Sequence, residues 1–429
     1  MVLMFLVRRE YKIAILFISM ILMSPVILPF KGITATMAIS LAFLLSELTH
    51  YRMNWKRIRK SVILPFLILA LTSFLAAVVT SHHLHNINDA GYFVFYELIA
   101  KQFVLVYAFL SLRRKKSIQP VLVVSFISLI IMTIVGYVNQ VSGYSFFVDS
   151  FFEDTFNEYD FVTSYRFRVQ ATFVNPFDYG YICVLLALLH FYGYQQKMET
   201  LPVMIIAQLC CLYGVVACNC RTIMFCYVIC ALVYCLAIQK KTTTKIGITV
   251  GVLVLGVLLF TMVPSMRRIM LNVASIFDPT SVTRGSSLAM RLIQFTSVLF
   301  YIQGYVLFGR GVYFFNRDLG WENGSQLAAD SELYGLEGIY LNLLLERGAV
   351  GLVLFSAMMV LLIVFICRHR KLGKKMYALG LSVFLLYILF CFMTGELLSA
   401  APSYCILGYV IANLQVRKRY LEWKKKCRA

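Results

Sequence analysis

The stretch IQPVLVVSFISLIIMTIVGYVNQ, residues 118–140, carries no charged residue and is separated only by Ser117 from Arg113-Arg114-Lys115-Lys116. An α-helix rises 1.5 Å per residue, so about 20 apolar residues cross the roughly 30 Å hydrocarbon core of a bilayer. The stretch therefore reads as a transmembrane helix with its basic flank among the headgroups. Working outward, comparable blocks lie at 12–30, 33–49, 61–80, 91–111, 176–194, 201–217, 222–238, 246–263, 348–367, 376–394 and 397–415. Composition agrees: of 429 residues, 60% are hydrophobic and only 14% charged, with a mean hydropathy of +0.79. A soluble domain needs a far more charged surface than this. The expected fold class is an all-α polytopic membrane protein of about twelve transmembrane helices, residues 1–429 forming a single integral membrane domain. The first apolar stretch, Ile13 to Pro29, lacks a small-x-small cleavage site, and another block begins just after Lys31-Gly32. It reads as a retained first helix.

Charge orients these helices. With the N-terminus inside, the inner segments are 1–12, 50–60, 112–117, 195–200, 239–245, 368–375 and 416–429, and they hold 28 of the 40 Lys and Arg residues. Acids run the other way, with only Glu10, Glu47, Glu199 and Glu422 at or near the inside. The positive-inside rule then places both termini in the cytoplasm. The net charge of +20 is thus mostly topology. The basic clusters are short and each abuts a helix end, where they meet anionic headgroups, so no nucleic acid is expected as a partner.

Cysteines do not form a framework. Cys210, Cys211, Cys226, Cys230, Cys235, Cys367 and Cys391 lie inside apolar blocks, where thiols behave as small hydrophobes. Cys218 and Cys220, two residues apart, are poorly placed to bridge each other. No spacing resembles a zinc site, and no metal is expected. Glu97 and Lys101 are spaced i,i+4 inside block 91–111 and can pair on one helix face.

Two external segments exceed ordinary connection length, 141–175 and 264–347, and long loops of this kind are usually functional. In the larger, Phe295 to Phe308 is apolar but interrupted by Gln303 and Gly304, which reads as an interfacial or re-entrant helix. A true span there would put Arg368 to Lys375 outside, against the charge rule. Sorting basic residues by side shows that the external ones are Arg166, Arg168, Arg221, Arg267, Arg268, Arg284, Arg291, Arg310, Arg317 and Arg347, with Lys31 the one lysine. Arg is always charged and grips phosphate with a planar fork, which suits a pyrophosphate-bearing lipid. The plain alternative is pairing with the acids between Asp149 and Asp160, or snorkelling in the case of Arg221. Arg284 and Arg291, i,i+7, share a face if 286–297 is helical.

The other dense stretch is Leu336 to Gly351, with Glu337, Tyr340, Leu341 and Leu344 at helical spacing and Gly348 and Gly351 marking a break or close packing. It resembles the signature of the Wzy-type polysaccharide polymerases and the related O-antigen ligases, a His-Asn-x-Tyr-Leu run followed by Gly-x-x-Gly. Tyr340, Leu341, Gly348 and Gly351 match, whereas Glu337 and Gly338 stand where His and Asn would be. Arg168 with Thr172-Phe173 and Asn175-Pro176 resembles the family's turn before a mid-chain span. Arg221-Thr222 resembles its Ser-Arg-Thr element, and Arg291 with Phe308-Gly309-Arg310-Gly311 the Arg and Gly-x-Gly pieces of its large external loop. The resemblance covers roughly residues 165–400.

The resemblance implies metal-independent glycosyl transfer at the outer face of a bacterial cytoplasmic (inner) membrane, without a cofactor. A hydroxyl of one lipid-linked repeat unit attacks the anomeric carbon of another chain and displaces undecaprenyl pyrophosphate. Such chemistry needs charge stabilisation on the leaving group and orientation of two glycans. On this reading Arg168, Arg221 and Arg291 hold the pyrophosphate, with Arg284 in reserve and Arg310 and Tyr340 as further substrate contacts. Glu337 is the candidate base or hydroxyl-orienting group, beside Arg291 in the catalytic set. The aromatic run in 144–167 either holds sugar or prenyl chain or anchors the interface. Expected partners are the undecaprenyl-pyrophosphate-linked oligosaccharide, the bilayer and a chain-length regulator protein. The missing His tilts the reading from ligase toward polymerase. A flippase or transporter of the same lipid-linked sugars is a rival, but such proteins usually show internal repeats, and no two halves here resemble each other.

Overall fold

The computed structural model describes residues 3–22, 35–50, 104–112, 114–143, 168–173, 175–239, 241–262, 267, 271, 288–311, 314, 333, 336, 338–393 and 401–427. Every regular element among them is helical. After a single turn at Leu3–Leu6 come α1 (Arg9–Leu22), α2 (Ala35–His50), α3 (Val104–Leu110), α4 (Gln119–Ser142), α5 (Pro176–Gln195) and α6 (Leu201–Ala217). Then follow α7 (Arg221–Ile238), α8 (Thr242–Met262), α9 (Leu288–Tyr301), α10 (Ile339–Arg368), α11 (Lys374–Met393) and α12 (Ala401–Lys426). Among the described residues, Lys116–Ser142, Arg221–Ile238, Ile339–Arg368 and Lys374–Phe392 are long and apolar enough to cross a membrane, and Thr36–Thr49, Leu201–Ala217 and Leu292–Tyr301 are shorter apolar helices. Block 61–80, most of 91–111 with Glu97 and Lys101, and the aromatic run 144–167 lie outside the described residues.

Local chemistry sets the boundaries. Pro120 and Pro176 occupy first-turn positions, where a missing N–H costs nothing. Asn175 caps α5 by accepting the Phe177 N–H at 2.9 Å. Gly143 ends α4 at φ +68°, its N–H donating to the Asn139 carbonyl at 3.0 Å. Two helices run past their hydropathy blocks. α10 begins nine residues before 348, because the amphipathic stretch 339–347 is itself helical and joins the span through a kink. α12 continues past 415 into a polar tail with exposed Tyr420 and Trp423, since helix propensity does not stop where the apolar run does.

The helices pack around α5, whose side chains are buried on nearly every face. In lipid, association depends on close packing and interhelical polar contacts. A Cβ on Gly214 of α6 would lie 2.3 Å from the Cys183 sulfur, so only glycine lets these backbones approach. Polar ties run along the bundle: Tyr192 to Tyr409 hydroxyls at 3.1 Å, Tyr387 to Tyr404 at 2.6 Å, and Asn413 Nδ2 donating to the Leu112 carbonyl at 3.0 Å. None of the twelve cysteines is in a disulfide. Outward-facing Val123, Ile127, Ile134, Leu209, Val353 and Val360 are exposed, as expected of surfaces meeting lipid.

These contacts sort the bundle into two ends, about 30 Å apart along α5. At one, the Arg9 guanidinium grips the fully buried Glu47 carboxylate, with Nε 3.2 Å from Oε1, and Lys12 donates to Ser46 Oγ at 3.1 Å. The loops at 112–118, 196–200 and 368–375 also lie there, linked by Asn413 to Leu112, Lys375 to the Gln195 carbonyl, and Arg417 to the Leu372 carbonyl. The opposite end gathers the start of α5, the turn between α6 and α7, and the start of α12.

Candidate functional site

The arginine-bearing end is built from two turns. In the first, residues 168–175, Val169 donates its N–H to the Ala217 carbonyl at 3.1 Å and Thr172 Oγ1 donates to the Ile21 carbonyl at 3.3 Å. Ala171 sits at φ +51°, an uncommon backbone for a residue with a Cβ. Arg168 is half-buried, its guanidinium 5.8 Å from the Phe177 ring centroid. The second turn, Cys218-Asn219-Cys220, leads into Arg221 as the first residue of α7, with Asn219 at φ +49°. The Val169–Ala217 bond joins the two turns, so Arg168 and Arg221, 53 positions apart in sequence, are held at one end of the bundle. A Cβ on Gly180 would meet Cys218 and Ile223 at 2.7 Å, so α5 seats directly against the second turn.

Aromatic contacts extend this end toward α10. Tyr181 packs on Phe390 at 4.2 Å between centroids and hydrogen-bonds Ser403. Two residues on, Phe392 meets Tyr340 at 6.1 Å, and Tyr340 also contacts Phe355 at 5.8 Å. Tyr340, half-buried at the start of α10, thus stands on the same end as the two arginine turns.

A second feature unites two motifs that lie far apart in sequence. Gly348 interrupts α10 at φ 62°, ψ −165°, which removes two i,i+4 bonds and frees the Leu345 and Glu346 carbonyls and the Ala349 and Val350 N–H groups. The segment 306–311 satisfies all four. Arg310 N donates to Leu345 O at 2.8 Å, Gly311 N to Glu346 O at 3.1 Å, Ala349 N to Val306 O at 2.8 Å and Val350 N to Leu307 O at 3.1 Å. A Cβ on Gly309 would lie 2.5 Å from the Glu346 carbonyl carbon, so the Gly309-Arg310-Gly311 and Arg347-Gly348 pieces interlock backbone to backbone. The Arg310 side chain braces this joint: Nε donates to the Tyr301 carbonyl at 2.6 Å and the guanidinium lies 4.2 Å from the Tyr305 ring centroid.

Of the remaining expected site residues, Arg291 lies on α9, which ends at Tyr301 and so feeds into the joint; its side chain lies outside the described residues. Glu337 and Arg284 also lie outside them. Sequence reasoning missed Arg347 as a distinct element. It is only 6% exposed, at the kink, and its one signal is a lone cation between apolar residues and Gly348. It also missed a buried row in which Ser125 Oγ lies 3.2 Å from His190 Nε2 and His190 Nδ1 lies 2.7 Å from Glu199 Oε1. Both Ser125 and His190 are fully buried, so the row clamps α4, α5 and the turn after α5.

Fold and site define a multi-pass α-helical membrane protein with arginine-bearing turns gathered at one end and a reinforced, kinked helix among them. Residues 206–356 match the model of the O-antigen ligase family, consistent with a member of the Wzy-type polymerase and O-antigen ligase superfamily. The match spans about a third of the chain and includes Arg221, Arg284, Arg291, Arg310, Glu337, Tyr340 and the Gly348 joint, while Arg168 precedes it. It supports a membrane-bound ligase or polymerase of glycans. No curated protein matches the chain.

Proposed function

We propose that this chain joins undecaprenyl-pyrophosphate-linked oligosaccharide repeat units at the outer face of the cytoplasmic membrane. The carrying observation is the backbone bond between the Arg168 and Arg221 turns, which gathers two arginines at the end of the bundle opposite the lysine-rich loops. A hydroxyl of the acceptor unit attacks the anomeric carbon of the donor chain. The bond to pyrophosphate breaks with its electron pair leaving on undecaprenyl pyrophosphate, and the hydroxyl proton passes to Glu337 or to water. Arg168, Arg221 and Arg291 stabilise the departing charge, with Arg284 in reserve and Arg310 and Tyr340 as further substrate contacts. Fixed cations at a developing charge are the largest lever such a site has.

The family description favours a second reading, transfer of a finished glycan to a different acceptor. One experiment separates these readings from each other and from transport. Purified protein in detergent receives lipid-linked repeat units alone. Elongation without any membrane gradient supports the polymerase, and transfer only when a foreign acceptor is added supports the ligase. No covalent product under either condition overturns both. Within that assay Arg168→Ala and Arg291→Ala each lower turnover by roughly 100-fold or more, the usual scale for removing one charge-stabilising donor. Full-length polymer from both variants refutes the pyrophosphate assignment.

A further inference from the structure

The end of the bundle opposite the arginine turns holds a cavity of about 330 Å³ lined by Lys116, Gln195, Gln196, Lys197, Met198 and Lys375. Its three lysines come from three loops far apart in sequence: Lys116 just ahead of α4, Lys197 in the turn after α5 and Lys375 in the first turn of α11.

The wall is built rather than incidental. The turn after α5 is fixed by Gln196 N to Tyr192 O at 2.9 Å, Lys197 N to Tyr194 O at 2.9 Å and Met198 N to Gly193 O at 3.0 Å, with Lys197 at φ +59°. The one acid in these three loops, Glu199, is turned inward onto His190 at 2.7 Å. Its carboxylate is therefore withdrawn from the rim, and the lysines face the cavity without a neutralising neighbour from their own loops. Lys375 donates to the Gln195 carbonyl, which leaves two of its three ammonium protons for a ligand. Exposed Val123 and Ile127 on α4 and Leu201 and Ile205 on α6 lie within a few turns of the rim, an apolar flank for hydrocarbon chains. Basic pockets between helix ends on the cytoplasmic side are matched to lipid phosphate.

We propose that this cavity binds the phosphodiester headgroup of an anionic phospholipid. Such a lipid would rest its acyl chains along α4 and α6 and tie together the three loops that meet there. The site is separate from the glycan chemistry, and binding is read without any turnover.

The test uses full-length protein in a neutral detergent, with retention of phosphatidylglycerol or phosphatidylcholine followed by native mass spectrometry and melting temperature. Wild type retains phosphatidylglycerol and melts higher with it. K116Q/K197Q binds it roughly 30-fold more weakly, from about fivefold per lysine near a headgroup. Both side chains are exposed, so the lipid-free melting temperature of this variant stays at the wild-type value, and K116Q alone gives the intermediate affinity. Inorganic phosphate is the second arm. If it competes at millimolar concentration and raises the melting temperature by itself, the phosphate site stands but its ligand is soluble. Equal retention by wild type and K116Q/K197Q, or equal retention of phosphatidylcholine, overturns the proposal.

Discussion

Replacing Gly348 by alanine puts a Cβ 2.4 Å from the Leu307 carbonyl oxygen and 2.6 Å from the Gly309 nitrogen, on a backbone at φ 62°, ψ −165°. If the kink holds, a residue with a Cβ in that conformation costs about 1–3 kcal/mol before the contact is relieved. If it straightens, α10 regains its two i,i+4 bonds, but Val306 O, Leu307 O, Arg310 N and Gly311 N lose their partners. Val306 and Leu307 are exposed, so their carbonyls can turn to water. The cost then falls on the Arg310 and Gly311 N–H groups at about 1–3 kcal/mol each, less about 1 kcal/mol for each bond regained. Both routes come to about 2 kcal/mol, roughly 30-fold in the local opening equilibrium. Hydrogen exchange reads this directly, because Arg310, Gly311, Ala349 and Val350 donate the four bonds. Peptides covering 305–311 should exchange about 30-fold faster in Gly348→Ala by either route, with 345–350 joining them only where the kink holds, and glycan transfer should fall with them if the joint positions the site. Gly251→Ala is the control: nothing lies within 4 Å of its Cβ in α8, so its exchange there should be unchanged or slightly slower. Wild-type protection of the Arg310 and Gly311 amides in Gly348→Ala refutes the proposed locking of the two motifs.

On the proposed mechanism, in which leaving-group stabilisation outweighs base catalysis, Glu337→Gln should reduce chain elongation partially rather than abolish it; wild-type chain length on a polysaccharide gel would remove Glu337 from the site. Arg9→Met leaves the buried Glu47 carboxylate without its guanidinium, and should destabilise the protein by about 2 kcal/mol, below the 3–5 kcal/mol of a wholly buried pair because Arg9 is partly exposed. Pairing it with Glu47→Leu should restore most of the melting temperature; a double variant as unstable as the single one would show that the helix contact, not the charge, carries the effect.

Much of the scaffold was legible because its signals are local. The block 201–217 coincides with α6, and 118–140, 176–194 and 222–238 differ from their helices by one or two residues, since apolar length and first-turn proline act within a few positions. The break at Gly348 was also readable from Gly348 and Gly351. The helical spacing of Tyr340, Leu341 and Leu344 likewise pointed to an amphipathic helix ahead of the span, whereas its continuation into the span as one kinked helix was not readable, because hydropathy registers the span alone.

What the sequence by itself determined was the solvent of this fold, the uneven distribution of basic residues among the loops and the short motifs shared with a glycan-handling family. Each depends on residue type and spacing along the chain. Only tertiary structure decided which motifs meet: the Arg168 turn against the Arg221 turn, Gly309 against Gly348, and lysines from three loops around one cavity. Those pairings arise from backbone groups that must find partners once water is excluded, and no single stretch of sequence records which partner a freed carbonyl or N–H will take.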